Sequence, residues 1–489
     1  MLADEFIHRG CGRVPRRTAS RLLLACLAVL ASGAGLSMIA RVRPAAAAGV
    51  AVVSRAKLPP PQHGPSVQVP KTIAGDCSVD VTKSLDLWLR RLPSGATASL
   101  QRGACYLVNG PLVILGKTGV TLQGNGASIR ATTPVNPSPG PGYEYPGSGG
   151  ANDRRDLVIS DSSDITVTGL TIEGPDASGH YSVIYANENG IQVNASNRVL
   201  VEGVTVSGVY GDGMVVTGNS TDVTFEHDSV PLAGRNSISD YAGSAVTIAD
   251  NTLGSCHFIH FDVEPFRVNG QERAAQNVLI THNTVTGHGG FFSDIGAQGS
   301  VVDNLELSYN TVSSVIGVQV GGGKGNIRDR DNILIIDNHG LSKARDTVRA
   351  LMNFANVSGL VVSGNVQSFN ASIKTIAVLI SNSTGVVVSG NTFAHVTDVL
   401  STGQGMSVEL ARGASRGQKT ISVTHRPTDL LVYRIGTGSD AEIESLVTYR
   451  AGHPVVATLG HPLMHNHVAG EAVAVAPSTD YKAFDNTTT

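Results

Sequence analysis

The sequence predicts an all-β solenoid, and three observations support this fold class. A short pattern recurs along the chain: two apolar residues separated by one position, two variable residues, and then asparagine. In its later copies the asparagines recur at intervals of 26 to 32 residues. With 56 glycines, one tryptophan and 15% charged residues, the composition favours β structure over helix. A repeat of this length is typical of stacked coils. The repeated asparagines are Asn251, Asn283, Asn310, Asn338, Asn365 and Asn391.

Each copy of the repeat is expected to contribute one strand to the solenoid. Alternating Val, Ile and Leu side chains would point inward, and each strand would pair with its equivalents about 4.8 Å away in the neighbouring coils. Asparagine tolerates left-handed backbone geometry, and stacked asparagine side chains can hydrogen-bond along a column. We therefore expect the asparagine column to be a structural ladder with no catalytic role.

Through this repeat the chain resembles the secreted right-handed parallel β-helix proteins of the pectin-lyase-like superfamily. The resemblance covers roughly residues 76–400. It implies a right-handed parallel β-helix, here of about ten coils, with a capping helix at its N-terminal end. It does not imply one reaction, because that superfamily includes lyases, hydrolases, epimerases, phage spikes and adhesins.

The N-terminal 48 residues are predicted to be an export signal. An apolar run at 22–40 follows Arg13, Arg16, Arg17 and Arg21, and small residues at 44–49 suit cleavage after about Ala48. The alternative is an uncleaved membrane anchor, since the run is long enough to span a bilayer. Residues 49–75 are rich in proline, alanine and valine, which predicts a linker. We expect a secreted or cell-envelope protein.

The β-helix is predicted to span residues 76–402 and to begin with a helix. Thr82 would cap this helix, whose apolar face carries Leu85, Trp88, Leu89 and Leu92. A helix laid over the first coil would cover its exposed backbone and apolar interior. Two cysteines flank the first elements and could form a disulfide, Cys77 and Cys105, which leaves Cys256 as a buried apolar residue.

Two segments should depart from the coil pattern. Residues 132–155 are rich in proline and glycine and predict an insertion loop, whose Tyr143 and Tyr145 could stack on a sugar. The repeat stops near residue 403, and short alternating runs then predict a small β-rich module at 403–477, followed by a tail at 478–489. This module could cap the solenoid, bind a surface or polymer, or drive oligomerisation.

The strongest chemical candidate is the stretch CHFIHFDVEP at 256–265. On a strand, alternate residues face opposite sides, so His260, Asp262 and Glu264 would line the outside together. Close carboxylates push each other's pKa values apart, which allows one to remain protonated as a general acid while the other is anionic. Other secreted β-helix proteins that this chain resembles carry a similar acidic strand ending in Glu-Pro. The alternative is a solvated acidic strand or a divalent-cation site.

Neighbouring coils offer residues that could bind a substrate beside this strand. Stacking brings residues from different coils together although they are distant in sequence. The candidates are Asp212, Asp294, Gln319, Lys324 and Arg328.

Three functions follow from these residues. The first is cleavage of glycosidic bonds in a polysaccharide, with Asp262 and Glu264 as acid and base or nucleophile and with His260 orienting them. The second is a uronate polysaccharide lyase or epimerase, with Lys324 or His260 as the base and Arg328 or a cation on the carboxylate. The third is a noncatalytic surface protein that binds glycan. The expected partner is a polysaccharide or cell-surface glycan.

Other partners and cofactors are constrained more weakly. A formal charge of -3 argues against nucleic acid, and a membrane would be contacted only through an uncleaved anchor. The sequence assigns no metal ligands and establishes no cofactor, with calcium as the one candidate.

Overall fold

The computed structural model describes residues 53–60, 64–132, 156–265, 274–294, 300–321, 328–341, 350–369, 375–403, 406–427, 432–450 and 452–488. The predicted signal peptide, most of the insertion loop with Tyr143 and Tyr145, and Lys324 lie outside these residues. Among the described residues, none of the helices combines the length and the apolar character needed to cross a bilayer.

Three long parallel sheets form the body of the protein, and each coil between the two terminal ones contributes one strand to each sheet. Apart from the two terminal strands of each sheet, the described strands pair in parallel with their equivalents in the coils before and after them. These sheets confirm the predicted all-β right-handed parallel β-helix. Sheet 1 has 13 described strands, in spatial order Ser66–Gln68, Thr97–Ser99, Thr121–Gln123, Ser163–Thr168, Asn197–Glu202, Thr221–Glu226, Ser244–Ala249, Ala274–Thr281, Val301–Ser308, Arg330–Ile336, Val357–Ser363, Thr384–Ser389 and Thr479–Phe484.

Sheets 2 and 3 complete the coils. Sheet 2 has 12 described strands: Asp76–Asp80, Cys105–Val108, Ser128–Ala131, Thr171–Glu173, Thr205–Val209, Ser229–Ala233, Thr252–Cys256, Thr284–Val285, Thr311–Val312, His339–Gly340, Val366–Ser368 and Thr392–Ala394. Sheet 3 has 11 described strands: Leu112–Leu115, Leu157–Ser160, Ile191–Asn194, Met214–Thr217, Ile238–Asp240, Ile259–Val263, Gly290–Asp294, Val318–Val320, Ala350–Ala355, Ile376–Ser381 and Asp398–Ser401. A 3-10 turn, Val183–Tyr185, precedes the third strand of sheet 3.

The core is one continuous column of apolar side chains inside the coils. It arises because Val, Ile, Leu and Phe occupy alternate strand positions, and these positions stack in register from coil to coil. In sheet 1, for example, Val278, Leu305 and Ile333 are direct neighbours and are fully buried. The predicted inward row of the repeat is therefore confirmed.

The asparagine column forms the predicted ladder. The Nδ2 of Asn283 donates to the Oδ1 of Asn310 at 3.0 Å, and Asn310 donates in turn to Asn338 at 2.9 Å. The left-handed backbone lies one residue earlier than expected, at residues such as His282 and Tyr309, which have φ of 57° and 56°. The asparagine itself turns its amide inward, where it bonds to the backbone and to the next asparagine.

The predicted helix covers the first coils, with one local difference. It spans Thr82–Arg91 and buries Leu85, Trp88 and Leu89. Its N-cap residue is Val81, so Thr82 lies inside the helix. The Thr82 hydroxyl instead donates to Asp80 Oδ1 at 2.6 Å and accepts a hydrogen bond from the backbone N–H of Asn109.

The disulfide that the sequence suggested is present. Cys77 and Cys105 form a disulfide between the first two strands of sheet 2, with a Cα–Cα distance of 5.0 Å. Cys256 is a buried free thiol.

Part of the predicted linker is attached to the β-helix. Residues 53–60 lie on the outer face of sheet 1, where Val53 packs in a small cluster with Leu279 and Leu334. Arg55 lies 3.3 Å from Glu226. A linker prediction from composition misses these contacts because they are made to residues far along the chain.

The C-terminal module is a small antiparallel barrel with its own apolar core. A bridge between Leu410 and Val423 joins its two outer strands. Buried His467 links two carboxylates of the barrel, at 2.9 Å from Glu442 Oε1 and 2.7 Å from Glu471 Oε2. Its described strands are Ser407–Glu409, Thr420–Val423, Val432–Ile435, Glu442–Arg450, Val455–Leu459 and Ala472–Val475, and a 3-10 turn spans Gly438–Asp440.

The predicted tail is part of the β-helix. Residues Thr479–Phe484 form the last strand of sheet 1 and pair in parallel with Thr384–Ser389. Asn486 ends the asparagine ladder, because its Oδ1 accepts hydrogen bonds from the backbone N–H and the Nδ2 of Asn391. The tail prediction is wrong because a single strand that returns after 95 residues does not show the repeat spacing.

Candidate functional site

The outer face of sheet 3 carries a continuous row of polar side chains. The register pairs Ser239 with Asp262, Asp262 with Ser293, Ser293 with Gln319, and Gln319 with Asn353. Residues on either side of this row, such as Phe261 and Val263, belong to the core. Because strand side chains alternate, the row faces away from the core. We call these five residues the polar row.

Asp262 lies at the centre of the polar row and is 7% exposed. Its Oδ2 accepts a hydrogen bond from the Nδ2 of Asn236 at 2.8 Å. Burial raises the pKa of Asp262 well above its ordinary value, and the negative charge of Glu264 raises it further, while Arg235 opposes the shift. A carboxyl in this setting holds its proton at a pH where an exposed aspartate has lost it.

Glu264 is two residues further along the same strand direction and faces the same side. Its backbone N–H donates to Asp240 and continues the strand pairing. Its side chain is 39% exposed, and its Oε2 lies 3.6 Å from Nη2 of Arg235. Burial raises the pKa of Glu264, and Arg235 opposes that shift. The two carboxyls therefore share one charged environment, with Glu264 as the more exposed member.

Arg235 is the cation of this cluster and was not predicted from the sequence. Its Nη1 donates to Asp212 Oδ2 at 3.1 Å, and it also hydrogen-bonds the hydroxyl of Tyr241. Burial alone would lower the pKa of Arg235, but Asp212, Tyr241 and the two carboxyls raise it, so the guanidinium stays charged. The sequence signal was the spacing of about one coil between 212, 235 and 262, which places these residues in adjacent coils.

Asp212 has a supporting position beneath this cluster. It is fully buried, and its Oδ2 also accepts a hydrogen bond from the Tyr241 hydroxyl at 2.5 Å. Its Oδ1 accepts the backbone N–H of Asn236. Asp212 was predicted to bind substrate, but its oxygens are engaged by Arg235, Tyr241 and Asn236. It orients Arg235 instead.

His260 is separated from the carboxyls, which corrects the sequence prediction. It is fully buried, and its Nδ1 lies 3.1 Å from Ser237 Oγ and 3.6 Å from Cys256 Sγ. Burial lowers the pKa of His260 to about 4, so the ring is neutral. The chain at Gly289 passes directly over the ring, where an added Cβ would lie 2.8 Å from Nε2. Strand alternation correctly predicts that His260 faces away from the core, but the turn at Gly289 covers its ring.

Asp294 is also turned away from the polar row. It is fully buried in a bidentate pair with Arg330, which is also fully buried. Its Oδ2 accepts from Nε of Arg330 at 2.7 Å, and its Oδ1 accepts from Nη2 at 3.0 Å. Its register partner is Val320, which belongs to the core. Asp294 therefore neutralises an interior arginine, and the prediction that it binds substrate is wrong.

The remaining predicted binding residues have different placements. Gln319 lies in the polar row two strands from Asp262 and is half-buried. Arg328 is exposed, and its Nε donates to the carbonyl of Asn382 at 3.0 Å, just beyond a strand of sheet 3. Tyr143, Tyr145 and Lys324 lie outside the described residues.

One group among the described residues has the composition of a cation site. The ligand atoms of Glu202, Glu226 and His227 lie within 4.8 Å of one another. They are at the ends of sheet 1 strands and not on the polar row, and Glu226 already pairs with Arg55. This group gives no support to calcium at Asp262 and Glu264.

The comparisons with known proteins show that this chain is similar to solved structures in its fold. No family model and no curated protein matches the chain. Similar solved structures include the mannuronan C-5 epimerase A-module from Azotobacter vinelandii, with 15% identity, 68% of this chain and 97% of that chain covered, and a TM-score of 0.47. A family 28 exopolygalacturonase from Yersinia enterocolitica has 13% identity, coverages of 69% and 76%, and a TM-score of 0.43.

An exopolygalacturonase from Thermotoga maritima is similar at 12% identity, with coverages of 70% and 89% and a TM-score of 0.40. The fold assignment rests on the three parallel sheets of this chain. It agrees with the resemblance to pectin-lyase-like β-helix proteins.

Proposed function

We propose that this protein is a secreted carbohydrate-active enzyme that cleaves glycosidic bonds in a polysaccharide. One observation carries the proposal: Asp262 and Glu264, on a strand and directly after its end, face outward, share one electrostatic environment, and differ in exposure. Glycosidic cleavage needs two carboxyls in different protonation states, one to protonate the leaving oxygen and one to act as base or nucleophile.

The roles follow from the surroundings of each group. Asp262 is the more buried carboxyl, and its raised pKa suits the general acid. Glu264 is more exposed and lies beside Arg235, which favours its anionic form, so it suits the base or nucleophile. Ser293, Gln319 and Asn353 extend the polar face along the solenoid axis and offer hydrogen bonds to a sugar chain.

The lyase or epimerase alternative has less support. It required His260 or Lys324 as the base, but the neutral His260 is covered by the turn at Gly289. Lys324 lies outside the described residues, and Arg328 is bonded to a backbone carbonyl away from the polar row. The other alternative is a noncatalytic protein that binds glycan. Turnover that is lost when Asp262 or Glu264 is replaced would distinguish an enzyme from such a protein.

The test is a screen of purified protein against a polysaccharide panel, read as new reducing ends and as ultraviolet absorbance of unsaturated sugars. We expect reducing ends without absorbance. Asp262→Asn and Glu264→Gln should each lower turnover by about 10²-fold or more, whereas Glu409→Gln, an exposed carboxylate on the barrel, should not change it. Absorbance would point to elimination, and full activity in both site variants would refute the proposed pair.

Secretion is part of the same proposal. It is supported by the arginine-rich and apolar N-terminus and by the Cys77–Cys105 disulfide, since disulfides persist in oxidising compartments. N-terminal sequencing of protein from the culture medium should begin near Gly49. Protein retained in the cytoplasm with an intact N-terminus would contradict this.

A further inference from the structure

The barrel is attached to the same sheet that carries the candidate site. Its core cluster, which includes Val408 and Tyr433, also contains Ala350 and Leu379 from two strands of sheet 3. Hydrogen bonds between described residues join the units: the N–H of Val432 donates to Ser381 Oγ, and the N–H of Asn382 donates to the carbonyl of Ala476, each at 3.1 Å. The barrel is therefore packed onto the β-helix.

The register shows where on sheet 3 the barrel lies. From Asp262 the polar row continues through Ser293, Gln319 and Asn353, and the next residue in the same row is Leu379. Leu379 faces outward by this register, yet it is fully buried within the barrel's cluster. Four strand spacings separate it from Asp262, which is about 19 Å at about 4.8 Å per strand. The polar row ends at the barrel.

We propose that the barrel is an end-stop for the substrate-binding face, so that a polysaccharide lies along the polar row with one chain end against the barrel. The proposal rests on the proposed function, because it takes Asp262 as the point of cleavage. A chain that contacts Asp262, Gln319 and Asn353 together runs along the solenoid axis and meets the barrel after a few sugar units. The enzyme then removes short products from one chain end and does not cut internal bonds at random.

The experiment uses the full-length protein and an end-labelled oligosaccharide ladder made from the polysaccharide that it cleaves in the panel. We expect one short product length from the earliest time points, and a slow fall in the viscosity of the parent polymer relative to the release of reducing ends. A mixture of product lengths with a rapid fall in viscosity would overturn the end-stop and leave the proposed hydrolysis intact.

A variant links the product pattern to the barrel. Leu379→Asp places a charge in the contact between barrel and sheet and should shift products toward mixed lengths. The control is Leu115→Asp, the same substitution at an exposed leucine at the far end of sheet 3. Circular dichroism shows whether each variant folds. The product lengths of the wild-type protein decide the proposal even if Leu379→Asp does not fold. If Asp262→Asn cleaves like wild type, the catalytic assignment fails, and the end-stop fails with it because its distance is counted from Asp262. If Asp262→Asn is inactive and the wild-type protein gives mixed product lengths, the end-stop alone fails.

Discussion

Asp228 occupies a ladder position that asparagine holds in the following coils. Its Oδ1 accepts the N–H of Val204 at 2.7 Å, and its own N–H donates to Asn251 Oδ1. Its Oδ2 is buried and has no hydrogen-bond partner among the described residues, whereas the equivalent Nδ2 of Asn251 donates to the Phe225 carbonyl at 3.0 Å. Burial raises the pKa of Asp228 well above its ordinary value. A protonated Asp228 imitates asparagine.

We therefore predict that Asp228→Asn stabilises the protein and that the gain grows with pH. A raised folded-state pKa gives stability that is fully present below the unfolded value of about 3.9 and is lost as pH rises through the folded value. Asparagine does not ionise, so the variant has no such loss. Its free energy of unfolding should exceed that of the wild type by about 1–3 kcal/mol at pH 8 and by little at pH 4. Urea unfolding at both pH values measures this. Asp161→Asn, at an exposed turn, is the control, and equal stability of variant and wild type at pH 8 would contradict the prediction.

At the residue scale, strand alternation predicted which side chains share a face but not what covers them. It correctly placed Asp262 and Glu264 outside the core. It also placed His260 on the outer side, but it could not show that the turn at Gly289 covers the ring, because that turn comes from the next coil. Asp294 was misassigned because a buried arginine, 36 residues later, neutralises it. Arg235 and Tyr241 were missed because neither belongs to a motif.

At the scale of the element, the repeat predicted the fold because the same contacts recur in every coil. Asn310 shows the energetic unit: its Nδ2 donates to the Ile280 carbonyl and to Asn338, and its Oδ1 accepts from the N–H and the Nδ2 of Asn283. All these groups are buried, so removal of one amide leaves several of them unpaired.

Asn310→Ala should lower the free energy of unfolding by about 3 kcal/mol or more, since each buried unpaired polar group costs about 1–3 kcal/mol. Urea denaturation followed by circular dichroism measures the loss. Thr311→Ala, at the next and only half-buried position, should cost far less. If both variants lose the same stability, the column is not the special stabilising element that we infer.

At the scale of the whole molecule, a solenoid must protect two open ends. The helix Thr82–Arg91 packs over the first coils, and the barrel covers part of sheet 3 near the other end. Sheet 1 ends differently, with the returning strand Thr479–Phe484. The sequence predicted the helix because its apolar face is local, but it did not predict the return, which depends on the intervening barrel bringing the chain back.

The last strand should therefore act as a cap whose loss exposes a sheet edge. A chain that stops at Ser478 loses the pairing to Thr384–Ser389 and the ladder bonds from Asn391 to Asn486. An unpaired parallel edge is a template for pairing with other chains. We expect this truncated protein to unfold at a lower temperature and to form oligomers in light scattering, whereas a chain that stops at Thr488 should match the full-length protein. A monomeric Ser478 truncation with unchanged melting temperature would show that the strand is dispensable and that the barrel and the preceding coil protect this end unaided.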